Sequence, residues 1–431
     1  MGKTGESIII KNGRVCDPAS GIDKQADVLI EEGKIAEVGN NIAAKKARVI
    51  DAAGLVVSPG FIDLHVHLRE PGYEYKETIA TGAISAAAGG FTAVCAMANT
   101  DPVNDNGTVT RMIIRKAEKA GAARVYPIGA VTKGLKGKEL AEIGGMKEAG
   151  IVAISDDGRC VMDAGLLRNA MEYASMFGLT LIEHCEDEHL ARGGIINEGR
   201  VAAQYGVKAI PAIAEGSIAE RDISIACYIG RPIHLAHISV KETVEAVRAA
   251  KAKGIKVTCE VTPHHFALNE SVMESLDATY KMNPPLRMEE DVEALKEGIR
   301  DGTIDAIATD HAPHAKWEKE LELDTAPFGV VGLETALGVS MQLVHDKLIP
   351  LSRLIELLSK RPAEIFNLPG GSLKKGSPAD ISIFDMNKEW AVDVESFLSK
   401  GRNSPFAGMN LKGKNILTLV GGGVVYNPMN L

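Results

Sequence analysis

Apolar runs of five to eight residues alternate with longer amphipathic segments through the middle of the chain. The runs span residues 61–67, 92–98, 124–131, 151–155, 180–185, 232–238, 256–261 and 304–310. Several of the segments between them end in glycine, as helix C-termini often do. Continuous apolar strands covered by helices are typical of a parallel sheet. Eight such alternations predict an α/β fold of the (β/α)8 TIM-barrel type, with an open doubly wound sheet as the alternative.

Both ends of the chain have a different pattern, which is rich in β-branched residues and turns. The segment "ADVLIEEGKIAEVG" predicts a hairpin around Glu-Gly, and "GSPADISIFD" and "ILTLVGGGVVYN" predict strands near the other end. We therefore expect residues 1–58 and 370–431 to pack together as a small β-sandwich. Residues 59–369 would then form the catalytic barrel.

Composition narrows the class of protein. Of 431 residues 45% are apolar, which is enough for a sizeable core, and the formal net charge is −9. A non-specific nucleic-acid binder needs a basic field, so nucleic acid is not an expected partner. No signal peptide or membrane-length apolar run is evident, and no CxxC pair occurs among the six cysteines. These features favour a cytoplasmic protein without membrane attachment.

Histidines concentrate at the C-terminal ends of the predicted strands, where barrel enzymes place their chemistry. Eight of the eleven histidines lie at these ends: His65, His67, His184, His237, His264, His265, His311 and His314. Asn99, Asp156, Asp157 and Asp310 follow other strands. This clustering predicts a polar site at one mouth of the barrel. His189, His234 and His345 are interpreted as ordinary structural residues.

The pair His65-x-His67 closes the first barrel strand. Residues i and i+2 of a strand face the same way, roughly 6.6 Å apart, so two imidazoles there can converge on one metal ion. Two solvated or hydrogen-bonded histidines are the alternative interpretation of an isolated pair. Imidazole and carboxylate ligands together suit zinc best, with manganese, cobalt or iron less favoured.

A catalytic zinc ion makes hydroxide available near neutral pH, and an acid/base must then move protons. Asp310, at the end of the eighth strand, is the candidate for this role. The alternative is that Asp310 caps the segment that follows it.

The motifs at these strand ends resemble those of the amidohydrolase superfamily and, within it, the dihydroorotases. The resemblance covers nearly the whole chain and is carried by "PGFIDLHVHLREPG", "MANTDPV", "SDDG", "IEHCED", "HLAHIS", "MNPPLR" and "IATDHAPH". The His-x-His pair alone marks only the superfamily. The combination of "HVHLREPG" with "ANT", "NPPLR" and "DHAPH" is much more specific.

The resemblance implies a role for each matching residue. His65, His67 and Asp310 would bind one zinc ion, and His184 and His237 would bind a second. Asp157 would bridge or complete the pair. The substrate would be bound by Arg69 and Asn99, which clamp its exocyclic carboxylate, and by Asn283 and His314. His264 and His265 are open, as either orienting donors or structural residues.

One departure from the superfamily pattern concerns the fourth strand. Many members bridge two ions with a carboxylated lysine there, but "IVAISDDG" contains no lysine. Asp157 takes that place, as in the aspartate-containing class of dihydroorotases. The number of ions, one or two, is therefore open, and so is the interpretation of Asp157 as an ordinary turn residue.

The implied activity is the reversible, zinc-dependent hydrolysis of dihydroorotate to N-carbamoyl-L-aspartate in pyrimidine biosynthesis, with Asp310 as acid/base. Allantoinase and dihydropyrimidinase are the alternative enzymes, and a non-catalytic scaffold for aspartate transcarbamoylase is the alternative outside catalysis. A homodimer and an association with aspartate transcarbamoylase are both open. The long segment after the eighth strand could close over the substrate or could be an ordinary solvated loop.

Overall fold

The computed structural model describes residues 7–44 and 46–429. Its strands are β1 (Ile8–Asp17), β2 (Ile22–Glu31), β3 (Lys34–Gly39), β4 (Arg48–Asp51), β5 (Val56–Pro59), β6 (Phe61–Val66), β7 (Phe91–Ala96), β8 (Arg124–Pro127), β9 (Ala153–Ser155), β10 (Thr180–Glu183), β11 (Ile196–Asn197), β12 (Ala209–Ile210), β13 (Ile233–Leu235), β14 (Val257–Val261), β15 (Ala306–Ile307), β16 (Ile381–Ala391), β17 (Asn410–Val420) and β18 (Gly423–Tyr426).

The helices occupy the intervals between the barrel strands and the region after them. They are α1 (Ile79–Ala88), α2 (Gly107–Ala120), α3 (Ile143–Ala149), α4 (Ala164–Met176), α5 (Arg200–Tyr205), α6 (Ala212–Ile229), α7 (Lys241–Ala252), α8 (Pro263–Ala267), α9 (Glu289–Asp301), α10 (Lys316–Lys319), α11 (Ala336–His345), α12 (Leu351–Ile355) and α13 (Arg361–Ile365). Short 3-10 and π turns link several of them.

The predicted barrel is confirmed, with one strand from each of the eight apolar runs. Parallel pairing joins β6, β7 and β8 in one sheet and β9, β10, β13, β14 and β15 in another. Parallel bridges from Gly129 to Ile154 and from Val66 to His311 connect these two sheets at both edges. The strands therefore form a closed ring, and their C-terminal ends share one mouth.

Local sequence signals set the helices that cover the barrel, as α2 illustrates. The Asn106 side chain accepts hydrogen bonds from the N–H groups of Thr108 and Val109, which satisfies donors that lack partners within the helix. The helix ends at Gly121, whose φ of 64° lies in the left-handed region that glycine adopts without strain. Val109 and Ile113 are buried on its inner face.

Strands from both chain ends form one sheet in the order β18-β17-β16-β5-β1-β2-β3, with β4 paired to β1. Residues from opposite ends of this order, such as Ile35 and Leu419, belong to one buried cluster. The sheet is therefore folded on itself around a core of its own, as a sandwich requires. The predicted hairpin is confirmed as β2 and β3, which are joined at Glu32 and Gly33.

The domain boundaries stay a prediction, and residues 1–6, 45, 430 and 431 lie outside the described part of the chain. Residues 392–409, between β16 and β17, leave the sheet and contact the barrel; for example, Asn403 bonds to Ala312 and Gly329. Among the helices of the described ranges, none has the length and apolar character that a bilayer span requires. All six cysteines are free thiols.

Candidate active site

The structure brings the six predicted metal ligands together at the mouth of the barrel. His67 Nε2 lies 3.0 Å from Asp310 Oδ1, and His65 Nε2 lies 3.6 Å from the same oxygen. Two groups have ligand atoms that all lie within 4.8 Å of one another: His65, His67 and Asp310, and His65, Asp157 and His237. Residues up to 245 positions apart in the sequence are thus placed around one point by the ring of strands.

Asp157 occupies the centre of this cluster. Its Oδ1 lies 3.3 Å from His65 Nε2 and 3.4 Å from His237 Nε2, and its Oδ2 lies 3.4 Å from His67 Nε2. The neighbouring Asp156 instead binds the loop after β8, because its carboxylate accepts hydrogen bonds from the N–H groups of Val131 and Thr132. The carboxylate of Asp157 faces four imidazoles, whereas an ordinary turn residue would direct it at the backbone of the turn.

His184 completes the cluster through its Nδ1 atom. This atom lies 2.9 Å from His237 Nε2 and 3.8 Å from Asp157 Oδ1. Its Nε2 lies 3.9 Å from a carboxylate oxygen of Glu186. Burial lowers the pKa of His184, but Glu186 and Asp157 outweigh this and raise it to about 9.

The donor set and its electrostatics fit a divalent cation. His65 Nε2 points into the cluster, is buried, and has no hydrogen-bond partner among the described residues. Burial lowers the pKa of His65, but the carboxylates of Asp157 and Glu260 raise it well above its usual value. The carboxylates therefore favour positive charge at this point, which protonated imidazoles or a divalent ion can carry. Four imidazoles and two carboxylates are ligands that suit zinc.

The backbone is strained at three of the predicted site residues. Arg69 has a φ of 60°, His237 of 30° and Asp310 of 45°, all in the left-handed region that side chains with a Cβ rarely adopt. Such conformations cost on the order of 1–3 kcal/mol each and persist only where the surrounding structure holds them. The surrounding structure therefore holds these three residues in place against a local cost.

Arg69 and Asn99 border the cluster on one side. Arg69 Nε donates to the carbonyl of Pro313 at 3.1 Å, and its Nη2 lies 3.4 Å from His314 Nε2. The Asn99 amide oxygen lies 2.9 Å from His67 Nδ1, so it accepts a hydrogen bond and leaves the ring's Nε2 for the cluster. Asn99 thus orients a predicted ligand, and its Nδ2 donates to the carbonyl of Asp157 at 3.5 Å.

His314 and Asn283 also lie near the site, with different surroundings. His314 Nε2 is 2.8 Å from the carbonyl of Phe328, its Nδ1 is 3.2 Å from Lys76 Nζ, and burial together with nearby cations lowers its pKa to about 2. His314 is therefore neutral and uses both ring nitrogens within the protein. The amide oxygen of Asn283 is buried and has no partner among the described residues.

The two adjacent histidines after β14 differ in their hydrogen bonding. His265 Nδ1 lies 2.7 Å from Thr262 Oγ1 and its Nε2 lies 2.9 Å from the carbonyl of Pro284, so both nitrogens are used. His264 is equally buried, but its Nε2 has no partner. Burial lowers the pKa of His264 to about 4, so this imidazole is neutral.

The segment after β15, which we expected to be either a lid or a solvated loop, is anchored from two directions. Lys319 Nζ donates to the carbonyls of Lys281, Pro327 and Gly329, and burial lowers its pKa to about 7. From the C-terminal part of the chain, Asn403 donates to Gly329 and accepts from the His314 N–H. Closure of this segment over a ligand stays a prediction.

Sequence reasoning missed two buried groups behind the metal ligands. Glu260 lies in β14, where an acidic residue inside an apolar run could have been the signal. His234, which we interpreted as an ordinary structural residue, contacts this carboxylate at 3.1 Å. Both side chains point into the barrel rather than towards the surrounding helices. The apolar run around each residue gives no sign of this direction.

Comparison with known proteins places the chain among enzymes of one kind. Residues 54–243 match the family model described as "Dihydro-orotase-like". The chain is 50% identical to the dihydroorotase of Syntrophotalea carbinolica and 50% identical to that of Geotalea daltonii, in each case over 97% of this chain and 99% of the relative.

Solved structures show the same architecture. The L-hydantoinase (dihydropyrimidinase) of Arthrobacter aurescens superposes with a TM-score of 0.87 at 28% identity, covering 97% of this chain and 96% of that one. It is a cyclic amide hydrolase by name, and the sandwich-bearing barrel fold is shared along nearly the full length. The chain is 28% identical to this hydantoinase but 50% identical to each of the two dihydroorotases. Because of this higher identity along nearly the whole length, the chain belongs to the dihydroorotase family of cyclic amide hydrolases.

Proposed function

We propose that this protein catalyses the reversible hydrolysis of dihydroorotate to N-carbamoyl-L-aspartate, the step of pyrimidine biosynthesis that its relatives' name denotes. The observation that carries the proposal is the donor pair of Arg69 and Asn99 beside the histidine–aspartate cluster. The paired N–H donors of a guanidinium match the two oxygens of a carboxylate. Arg69 also places a positive charge beside the cluster in a chain whose net charge is −9.

The cluster supports a metal-dependent site, for which we propose zinc. His65, His67 and Asp310 would hold one ion, His184 and His237 would hold a second, and Asp157 would bridge or complete the pair. When bound, zinc lowers the pKa of water towards neutrality and polarises the substrate carbonyl. The proposal also includes a second ion, a homodimer, an association with aspartate transcarbamoylase and a cytoplasmic location.

The chain's own residues supply binding and proton transfer. Arg69 and the remaining amide N–H of Asn99 would hold the exocyclic carboxylate, with Asn283 against the ring and His314 at the edge of the clamp. Asp310 Oδ1 would accept a proton from the attacking water and deliver it to the ring nitrogen as the carbon–nitrogen bond breaks. Asp310 takes no backbone N–H bond from the described residues that follow it, so the capping alternative has no support.

The stoichiometry of this reaction gives a direct test. Ring opening adds water, converts the neutral cyclic amide into a carboxylate and releases one proton, so ring closure consumes one. We expect the ratio of dihydroorotate to carbamoyl aspartate at equilibrium to rise about tenfold for each unit by which pH falls, as long as pH stays well above the carboxyl pKa of about 4. The measurement is chromatography of both species, started from either side.

An unchanged ratio across two pH units would rule out this substrate pair. Parallel incubation with dihydrouracil, which has the same ring without the carboxylate, tests the dihydropyrimidinase alternative. Faster turnover of dihydrouracil than of dihydroorotate would favour that alternative. A chain that retains zinc yet turns over neither compound would support the scaffold interpretation.

A second prediction separates the neighbouring histidines after β14. We infer that His264, with its unpartnered Nε2, contacts the substrate, whereas His265 holds the loop together. His264→Asn should lower kcat/KM about 10–100-fold, the usual worth of a hydrogen bond to a charged group, and leave stability unchanged. His265→Asn should lower the free energy of unfolding by about 1–3 kcal/mol, since it leaves buried polar partners unpaired.

Steady-state kinetics and urea denaturation of both variants provide the measurement. The two residues are adjacent and equally buried, so each variant serves as the matched control for the other. Equal losses of activity, or a larger loss of stability in His264→Asn than in His265→Asn, would contradict the assignment.

A further inference from the structure

A line of hydrogen bonds runs behind the metal-ligand cluster through three barrel strands. Glu260 in β14 lies between two imidazoles: its Oε1 is 2.9 Å from His65 Nδ1, and its Oε2 is 3.1 Å from His234 Nε2. His234 in β13 continues the line, with its Nδ1 2.8 Å from Thr258 Oγ1. His65 and His234 are fully buried, and Glu260 is 1% exposed.

The chemistry of these groups fixes where the protons lie. An ionised carboxylate can only accept hydrogen bonds, so both nitrogens that face Glu260 carry protons. Each of its two oxygens faces one imidazole nitrogen at hydrogen-bond distance, which is the arrangement that an ionised carboxylate between two donors requires. With the Nδ1 proton directed at Glu260, the His65 ring keeps Nε2 as the atom that faces the cluster and can ligate an ion.

His234 satisfies the other half of the carboxylate. Its Nε2 donates to Glu260 and its Nδ1 contacts the Thr258 hydroxyl, so both nitrogens of the ring are paired. The edge-to-face contact with Phe366, at 5.6 Å between ring centroids, fixes the plane of the ring. An imidazole is the side chain that can join these two partners across this distance, whereas phenylalanine fills the space without donating.

We propose that Glu260 and His234 are positioning residues for the metal site, Glu260 acting on His65 directly and His234 acting only through Glu260. The inference deepens the proposed function and rests on it in one respect, namely that His65 ligates a divalent transition-metal ion through Nε2. A carboxylate behind a ligating imidazole fixes its tautomer and ring orientation and increases its basicity as a ligand. His234 would hold that carboxylate in the orientation in which it contacts His65.

The geometry predicts a specific pattern of metal affinities. Glu260→Gln should weaken Zn²⁺ binding about 10–100-fold, the usual effect of losing such a partner. His234→Phe should weaken it by a smaller factor, and His234→Gln, which keeps an N–H donor near the Nε2 position, should recover most of that loss. Because His234 acts through Glu260, the double variant Glu260→Gln/His234→Phe should bind Zn²⁺ as Glu260→Gln alone does.

The experiment is a competition titration of the full chain, stripped of metal, with Zn²⁺ and a chromophoric chelator. His345→Asn is the matched control, because His345 is also a histidine bonded through Nε2, to the carbonyl of Met386, and lies outside the site. Circular dichroism melts of the metal-free variants show whether each one is folded. If Glu260→Gln does not fold, the comparison of His234→Gln with His234→Phe decides, since the proposal requires tighter Zn²⁺ binding by the glutamine variant.

Three results would overturn the proposal. Glu260→Gln could bind Zn²⁺ within twofold of the wild type; the losses of the two single variants could multiply in the double variant; or the glutamine and phenylalanine variants at His234 could bind equally. A wild-type chain that binds no Zn²⁺ would instead overturn the ion site of the proposed function, and with it the positioning roles of Glu260 and His234. The first three results leave that site intact, so the two failures are distinguishable.

Discussion

Asp310→Asn is expected to lower kcat for dihydroorotate by a factor of about 10³ or more, since general acid–base catalysis alone contributes about 10²–10⁴-fold. Asparagine preserves the size of the side chain but cannot take up or deliver a proton. Asp310 Oδ1 lies 3.0 Å from His67 Nε2 and 3.6 Å from His65 Nε2, so the substitution also weakens a proposed metal ligand. Both effects act in the same direction.

Asp310 is in the ionised form that a proton acceptor must have. Burial raises the pKa of this carboxyl, but the hydrogen bond from His67 and the charge of His65 outweigh it and hold the pKa well below its usual value. Asp310 is therefore a carboxylate at any pH near neutrality. Its backbone φ of 45° shows that the chain accepts strain to place this residue where it does.

Two measurements separate the loss of the acid/base from the loss of an ion. Zinc content by mass spectrometry shows whether Asp310→Asn still holds metal, and kcat at saturating Zn²⁺ then reports the chemical step. Asp156→Asn is the matched control, because this buried aspartate also follows a barrel strand but binds the loop after β8. A kcat within tenfold of the wild type at equal zinc content would remove Asp310 from the mechanism.

The sequence predicts the barrel well because its signals are local. Each strand, from Phe61–Val66 to Ala306–Ile307, is an apolar run followed by polar residues, and the glycine at a helix end, such as Gly121, marks where the chain turns back. The mouth of a barrel collects whatever follows its strands. His65, His184 and Asp310 could therefore be expected at one site from the sequence alone.

What the sequence does not predict depends on which way a side chain faces and on contacts between distant segments. Glu260 and His234 lie inside short apolar runs, where nothing local shows that they face each other across neighbouring strands. Asn403 belongs to the C-terminal part that we assigned to the sandwich, yet it bonds to the loop that carries His314. The two nitrogens of His264 and His265 differ only in the partners that folding brings to them.

Arg69→Met is expected to lower kcat/KM for dihydroorotate about 10²–10³-fold, because truncating one partner of a buried charge pair costs about 2–5 kcal/mol. The loss should be selective. For dihydrouracil, which has no exocyclic carboxylate, the same variant should stay within about threefold of the wild type, since the hydrogen bond has no counterpart there. Arg69→Lys should fall between, because an ammonium keeps the charge but not the two-pronged geometry.

Kinetics with both substrates check this result, and Arg168→Met is the control, because Arg168 pairs with Glu172 on the exposed face of α4. Arg69 also donates to the carbonyl of Pro313, so a general distortion of the mouth would slow both substrates alike. Equal losses for dihydroorotate and dihydrouracil would therefore show that Arg69 stabilises the loop and does not bind the substrate carboxylate. A loss confined to dihydroorotate would identify the guanidinium as the group that makes this barrel select an anionic ring over a neutral one.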